Sequence, residues 1–123
     1  MPESNESTMT NTMAEATEEC IQDCIECNRT CMETLTHCLQ AGGAKANAEM
    51  VQLLLDCAQI CQTTADFMIR SSPRHTRLST VCADICGLCA TSCAGFKDDP
   101  EMQICADVSR RCDESCRQVA GQK

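Results

Sequence analysis

From about residue 14 to residue 119, apolar positions recur in steps of three, four and seven, with polar residues between them. Ile21, Ile25, Met32 and Leu39 mark one such face, and Val81, Ile85 and Leu88 mark another; these side chains are expected to seal the seams between helices. These steps return a side chain to the same side of a 3.6-residue helix. Glu18, Glu19, Asp23, Glu26, Arg29 and Glu33 fall on a solvated face with i, i+4 pairs. Three breaks interrupt the pattern: Gly42-Gly43, Ser71-Ser72-Pro73, and Gly95 followed by Asp98-Asp99-Pro100. The spacing predicts four helices, at about 14–40, 46–70, 74–94 and 99–119. Ser72 is expected to cap the third with Pro73 in its first position, and Asp99 the fourth with Pro100 following. Gly95 and Gly42-Gly43 suit left-handed helix ends. Short connections make neighbours antiparallel, so the expected fold is all-α, an up-down-up-down four-helix bundle over residues 13–120. Residues 1–12 are expected to be a flexible tail.

Composition changes what fills the bundle. Val, Ile, Leu and Phe together supply 19 of 123 residues, about 15%, and Trp and Tyr are absent. With a net charge of −8, so few large apolar residues is a composition usually found in disordered chains. Cysteine supplies the difference, with 14 residues. The acidic balance offers no Lys/Arg cluster for phosphates, which argues against nucleic acid. No apolar run approaches a membrane span, and no export signal is visible. The expectation is a cytoplasmic protein holding thiols rather than disulfides.

The cysteines keep the helical spacing throughout. The first helix carries Cys20, Cys24, Cys27, Cys31 and Cys38, and the second Cys57 and Cys61. The third carries Cys82, Cys86, Cys89 and Cys93, and the fourth Cys105, Cys112 and Cys116. Within each helix every step is 3, 4 or 7. Adding 62 turns the quartet at Cys20–Cys31 into the quartet at Cys82–Cys93, so the chain reads as two related helical hairpins. Cysteine can serve as a small buried hydrophobe, but fourteen on inward faces exceed what packing needs. Bridges within a Cys-x3-Cys pair are disfavoured, because Cβ atoms at i and i+4 lie about 5–6 Å apart and a disulfide needs roughly 3.5–4.5 Å.

Soft thiolates arranged as a continuous tube point to Cu(I). Zinc and iron–sulfur clusters take compact sets of four cysteines, usually on loops, and no fourfold grouping is evident in the spacing. Cu(I) accepts two or three sulfurs, and bridging thiolates let neighbouring ions share them. Each Cu(I) replaces one thiol proton, so the interior stays neutral near one ion per thiol, about 14 in all. A thiol redox protein using Cys24-x2-Cys27, and a zinc or iron–sulfur carrier, are the alternatives. Against the first, that pair lies inside a helix and no Cys–His–Asp arrangement stands out, so no enzyme is expected.

The motifs Cys20-x3-Cys24-x2-Cys27-x3-Cys31, the copy at Cys82–Cys93, Cys57-x3-Cys61 and Cys112-x3-Cys116 resemble the bacterial copper storage proteins over residues 13–120. The resemblance implies a four-helix bundle holding many Cu(I) ions. It is to the cytosolic branch, which implies a homo-oligomer, typically a tetramer. No copper donor or acceptor protein is indicated.

The ends of the tube carry other donors. His75 lies seven residues before Cys82, Met13 seven before Cys20, and Met68 seven after Cys61. Antiparallel packing brings these three to one end, where imidazole and thioether would be exchangeable Cu(I) ligands at a mouth; Met9 would extend it. Core filling is the other reading of the methionines, and a solvated first-turn residue that of His75. At the opposite end, Cys38, Met50 and Met102 beside Leu54 and Phe96 read as an apolar plug. His37 is expected to be exposed. Surplus apolar residues on the second helix, Leu53, Leu55, Ile60, Phe67 and Ile69, suggest an oligomer contact, and Gly87 a close helix approach.

Overall fold

The computed structural model describes residues 4–121, and the side chains of residues 13–121. Four helices follow in order: α1 (Ser4–Ala41), α2 (Ala48–Ile69), α3 (His75–Ala94) and α4 (Pro100–Ala120), with a short 3-10 turn, Gly43–Ala46, between α1 and α2. Each helix packs on its two neighbours, α1 on α2 and α4, α3 on α2 and α4. This is the antiparallel four-helix arrangement that the short connections require. Helix α1 begins at Ser4, ten residues earlier than expected. Neither Gly nor Pro occurs between Pro2 and Gly42 to stop it.

The breaks do different local work. Gly42 and Gly43 have φ of 72° and 60°, the left-handed region that glycine enters without a Cβ clash. Asn47 caps α2 by accepting from the Met50 N–H at 2.8 Å. Asp99 caps α4 by accepting from the N–H groups of Glu101 and Met102 at 3.0 and 3.3 Å. Two expectations are corrected. Pro73 sits in the turn before α3, not in its first position; Ser72 Oγ accepts from the Arg74 N–H, and the helix starts at His75. Gly95 is right-handed at φ −65°, and the left-handed residue near that kind of junction is Ser71, at φ 58° after α2.

The core is thiols flanked by small residues. All fourteen cysteines have zero exposure, and Ala58, Ala65, Ala83 and Ala106 pack beside them. Small neighbours let the helices approach closely. At Gly87 an added Cβ would lie 3.0 Å from Asp113 Oδ2 of α4, so the glycine does permit the approach. Polar contacts fix the seams. Asn28 donates to the Ala58 carbonyl at 2.8 Å across α1 and α2, and Ser115 donates to Asp23 across α4 and α1. Ile21 is buried, and Leu53, Ile60 and Ile85 pack partly buried on the core. Of the α2 residues expected in an oligomer contact, Leu53 and Ile60 are thus partly buried against the core, and Leu55 and Ile69 are exposed. Ile25, Met32, Leu39, Val81 and Leu88, expected to seal seams, stay exposed instead. They sit about 100° round from the thiol stripe.

A polar latch closes the loop end of the bundle. Asp99 Oδ2 lies 2.7 Å from His37 Nε2 and 2.8 Å from Lys45 Nζ, and His37 Nδ1 lies 2.8 Å from Glu101 Oε1. His37 is thus three-quarters buried and paired, not exposed. Hydrogen bonds from His37, then Lys45, hold the Asp99 carboxyl well below the usual carboxylate range. A depressed folded-state value stabilises the fold fully above the unfolded value of about 3.9, and the effect is lost as pH falls toward the folded value. Asp99→Ala should lower Tm by roughly 3–8 °C at pH 7. The gap between variant and parent should narrow below about pH 3. Equal melting temperatures at pH 7 would refute the latch.

Candidate metal centre

All four helices present the same ladder to the interior. Steps of four, three and four place Cys20, Cys24, Cys27 and Cys31 on α1, and Cys82, Cys86, Cys89 and Cys93 on α3. The same steps give Cys57, Cys61, Thr64 and Met68 on α2, and Cys105, Ser109, Cys112 and Cys116 on α4. Fifteen of these sixteen positions have zero exposure, and Met68 has 3%. A four-three-four ladder reads the same in both directions: antiparallel α1 and α4 meet rung against rung, Cys20 with Cys116 and Cys24 with Cys112, while α2 is offset so that Cys61 meets Cys82 and Cys86. Ser109 and Thr64 are the positions that reading the cysteines alone misses; extending the quartet spacing to α2 and α4 would have found them.

The sulfurs form a connected network. Cys20 Sγ lies 3.6 Å from Cys116 Sγ, which lies 3.8 Å from Cys24 Sγ. Cys24 lies 3.7 Å from Cys112, which lies 3.8 Å from Cys61. Cys61 lies 3.7 Å from Cys82 and 3.5 Å from Cys86. Cys57 continues the line, 3.6 Å from Cys86 and 3.7 Å from Cys27. A disulfide holds sulfurs about 2.05 Å apart, so these are unbridged thiols in contact.

Five overlapping groups follow, each with all sulfurs within 4.8 Å of one another: Cys24/Cys82/Cys112/Cys116, Cys61/Cys82/Cys86/Cys112, Cys27/Cys57/Cys61/Cys86, Cys31/Cys57/Cys89 and Cys89/Cys93/Cys105. The expectation that no fourfold grouping exists is corrected, because thiols from three helices converge in each group of four where one helix supplies only pairs. The groups are not separate cages: Cys57, Cys61, Cys82, Cys86, Cys89 and Cys112 each belong to two.

Geometry and charge decide which ions such a set suits. Three sulfurs around one ion, each bonded at about 2.3 Å, lie roughly 4.0 Å apart, and two in line roughly 4.6 Å. The observed 3.5–4.0 Å contacts sit near the threefold value. Two of the four-cysteine groups share no residue and could each close around Zn(II), but each would bury two net negative charges. A monovalent soft ion replacing each proton adds no net charge.

Protons are distributed unevenly along the line. Hydrogen bonds from Cys116, then Cys24, lower the Cys20 thiol to about 5, against the opposing effect of burial. Contacts with Cys112 and Cys24 push Cys61 up, and contact with Cys27 raises Cys57 to about 11. Burial pushes Cys38 up. Hydrogen bonds from neighbouring thiols also lower Cys27, Cys82 and Cys89, so lowered and raised thiols alternate along the line instead of collecting at one end.

The ends differ. Beside Cys20, a cleft of about 480 Å³ is lined by residues that include Met68, His75, Ile21 and Glu18. His75 Nδ1 is buried there and has no hydrogen-bond partner among the described residues. The structure thus brings Met68 and His75 together; Met13 is half exposed and does not line that cleft. Met9 lies outside the residues with described side chains. At the other end Cys38 donates to Met102 Sδ at 3.6 Å, and Cys38 belongs to none of the five groups. Met50, Leu54 and Met102 are buried around that end.

A family model described as copper storage protein matches residues 13–121. The uncharacterized cysteine-rich protein YhjQ of Bacillus subtilis (strain 168) is 34% identical over 108 residues, spanning 88% of this chain and 99% of its own. A solved structure from Nitrosospira multiformis is 37% identical with a TM-score of 0.83, covering 89% of this chain and 99% of that one. The Cu(I)-bound copper storage protein BsCsp3 is 34% identical with a TM-score of 0.80, covering 86% and 99%.

Proposed function

Because the chain belongs to the copper storage protein family, we propose that it sequesters many Cu(I) ions on the thiols of its bundle interior. The observation that carries this reading is the chain of five overlapping thiol groups, in which one sulfur serves two sites. Loading is proton exchange. An S–H bond breaks, an S–Cu bond forms, and the proton leaves to solvent, so the core charge does not change. In the apo protein the same thiols act as small neutral hydrophobes, so the bundle is formed before metal arrives. Capacity is about one ion per thiol, near the fourteen buried cysteines. The protein stores rather than catalyses, and the unbridged thiols suit the reducing cytosol.

Anaerobic titration of the reduced protein against a chromogenic Cu(I) chelator tests this. More than ten tightly held ions per chain are expected, with full helicity by circular dichroism before metal is added. Saturation at about two ions would instead favour the two separate four-cysteine groups acting as zinc sites.

Copper enters at the Cys20 end. The buried His75 Nδ1, without a partner among the described residues, and the buried Met68 beside it in the cleft support this direction. Met13 lies at the outer edge, where its half-exposed thioether could make the first contact. The double variant His75→Ala, Met68→Leu should slow loading several-fold in stopped-flow measurements and leave capacity within about one ion of the parent. Equal losses of rate and capacity would contradict an entrance there.

The protein assembles with copies of itself. Ile25, Met32 and Leu39 form a line of seven-residue steps on α1, Val81 and Leu88 another on α3, and all five are exposed in the single chain. Light scattering should report an oligomer, and Leu88→Glu combined with Leu39→Glu should shift it toward monomer. A monomeric parent protein would overturn this assembly.

A further inference from the structure

We propose that Ser109 divides the stored copper into two clusters that exchange with solvent at different rates. The inference rests on the storage reading above and concerns how that store is partitioned.

Ser109 occupies a rung of the α4 ladder where the matching rungs of α1 and α3 carry thiols. It is fully buried, and its Oγ lies 3.7 Å from Cys27 Sγ and 4.0 Å from Cys105 Sγ. A serine hydroxyl is a hard, neutral oxygen donor. It does not ionise near neutral pH, so it offers no negative charge to balance a Cu(I) ion, and soft Cu(I) prefers sulfur.

The consequence is visible in the network. Helix α4 gives Cys112 and Cys116 to the groups on the mouth side and Cys105 to the last group on the far side. It gives no thiol to the two groups between them. On the mouth side, successive groups share two sulfurs each: Cys82 and Cys112, then Cys61 and Cys86. Across the Ser109 level the shared set falls from two sulfurs to Cys57 alone, with Cys27 and Cys31 in contact there at 4.0 Å, and the two groups beyond it share Cys89 alone. All groups of four lie on the mouth side and both groups of three beyond it. Ions on the mouth side can pass between doubly bridged sites, whereas an ion crossing the Ser109 level must leave one set of thiolates while a single bridging sulfur holds it. Thr64 stands at the equivalent kind of position on α2 but next to Met68, at the end of the ladder. The groups on either side of that rung still share two sulfurs, Cys82 and Cys112.

The test uses the full-length protein, loaded anaerobically to saturation and then exposed to excess Cu(I) chelator, with release followed by absorbance. The parent should release copper in two phases with amplitudes near two to one. Eight thiols lie wholly on the mouth side of Cys57 and four wholly beyond it, apart from the isolated Cys38. Ser109→Cys should merge the phases into one and bind about one additional ion. Ser109→Ala should keep two phases, because the missing property is a soft ligand and not the hydroxyl. Cys105→Ser, which leaves Ser109 in place, should reduce the slow amplitude and spare the fast one. A parent protein that holds more than ten ions but releases them in a single phase overturns the partition while leaving storage intact. Two phases persisting unchanged in a folded Ser109→Cys, or loss from the fast phase in Cys105→Ser, overturns it as well. Fewer than about four ions bound by the parent would instead mark failure of the storage reading itself.

Discussion

Buried sulfurs 3.5–4.0 Å apart, held by four helices that cannot collapse further, are the constraint on which the rest of this protein depends. At that distance thiols touch without bonding, and a metal ion can enter with small side-chain adjustments. Were the helices nearer, disulfides would compete; were they further apart, no ion could be shared between sites. The spacing also explains the absence of Trp and Tyr. A ring between helices would open the interior to a width that sulfur contacts could not bridge.

The composition becomes intelligible on the same terms. A chain with so few aliphatic residues would not ordinarily fold, yet here cysteine and alanine fill the centre while Leu54, Met102 and Val119 fill toward the ends. The specific fold then relies on features outside the tube: the Asp99 and Asn47 caps, the Asn28 and Ser115 seam contacts, and the latch joining His37, Lys45 and Asp99. These fix helix ends and rotation, which matter more here than in an oil-like core. A helix rotated by one residue moves each of its thiols about 100° off the axis of the tube.

The two ends have opposite characters for a physical reason. Toward the α2–α3 turn, a cleft reaches Met68 and His75, and a buried imidazole nitrogen there lacks a partner among the described residues. Toward the α1–α2 connection, Cys38 is covered by Met102 and by the charged latch. An imidazole and a thioether thus stand beside a cleft at one end, and the other end is tied by several polar contacts at once.

The fold class, the number of helices and the inward placement of every cysteine were determined by the sequence alone, because helical periodicity and Gly/Pro punctuation are local properties. The same periodicity placed Met68 and His75 at one end. Tertiary structure decided everything that depends on neighbours across the bundle. It decided that α1 extends back to Ser4, that Leu53 and Ile60 are partly buried against the core while Leu88 is exposed, and that His37 is paired. It also decided that thiols gather in overlapping threes and fours, with a serine at the level where the sharing thins. A single helix shows which residues share a face, but distances between faces follow from how four helices pack. Those distances set which sulfurs can share an ion.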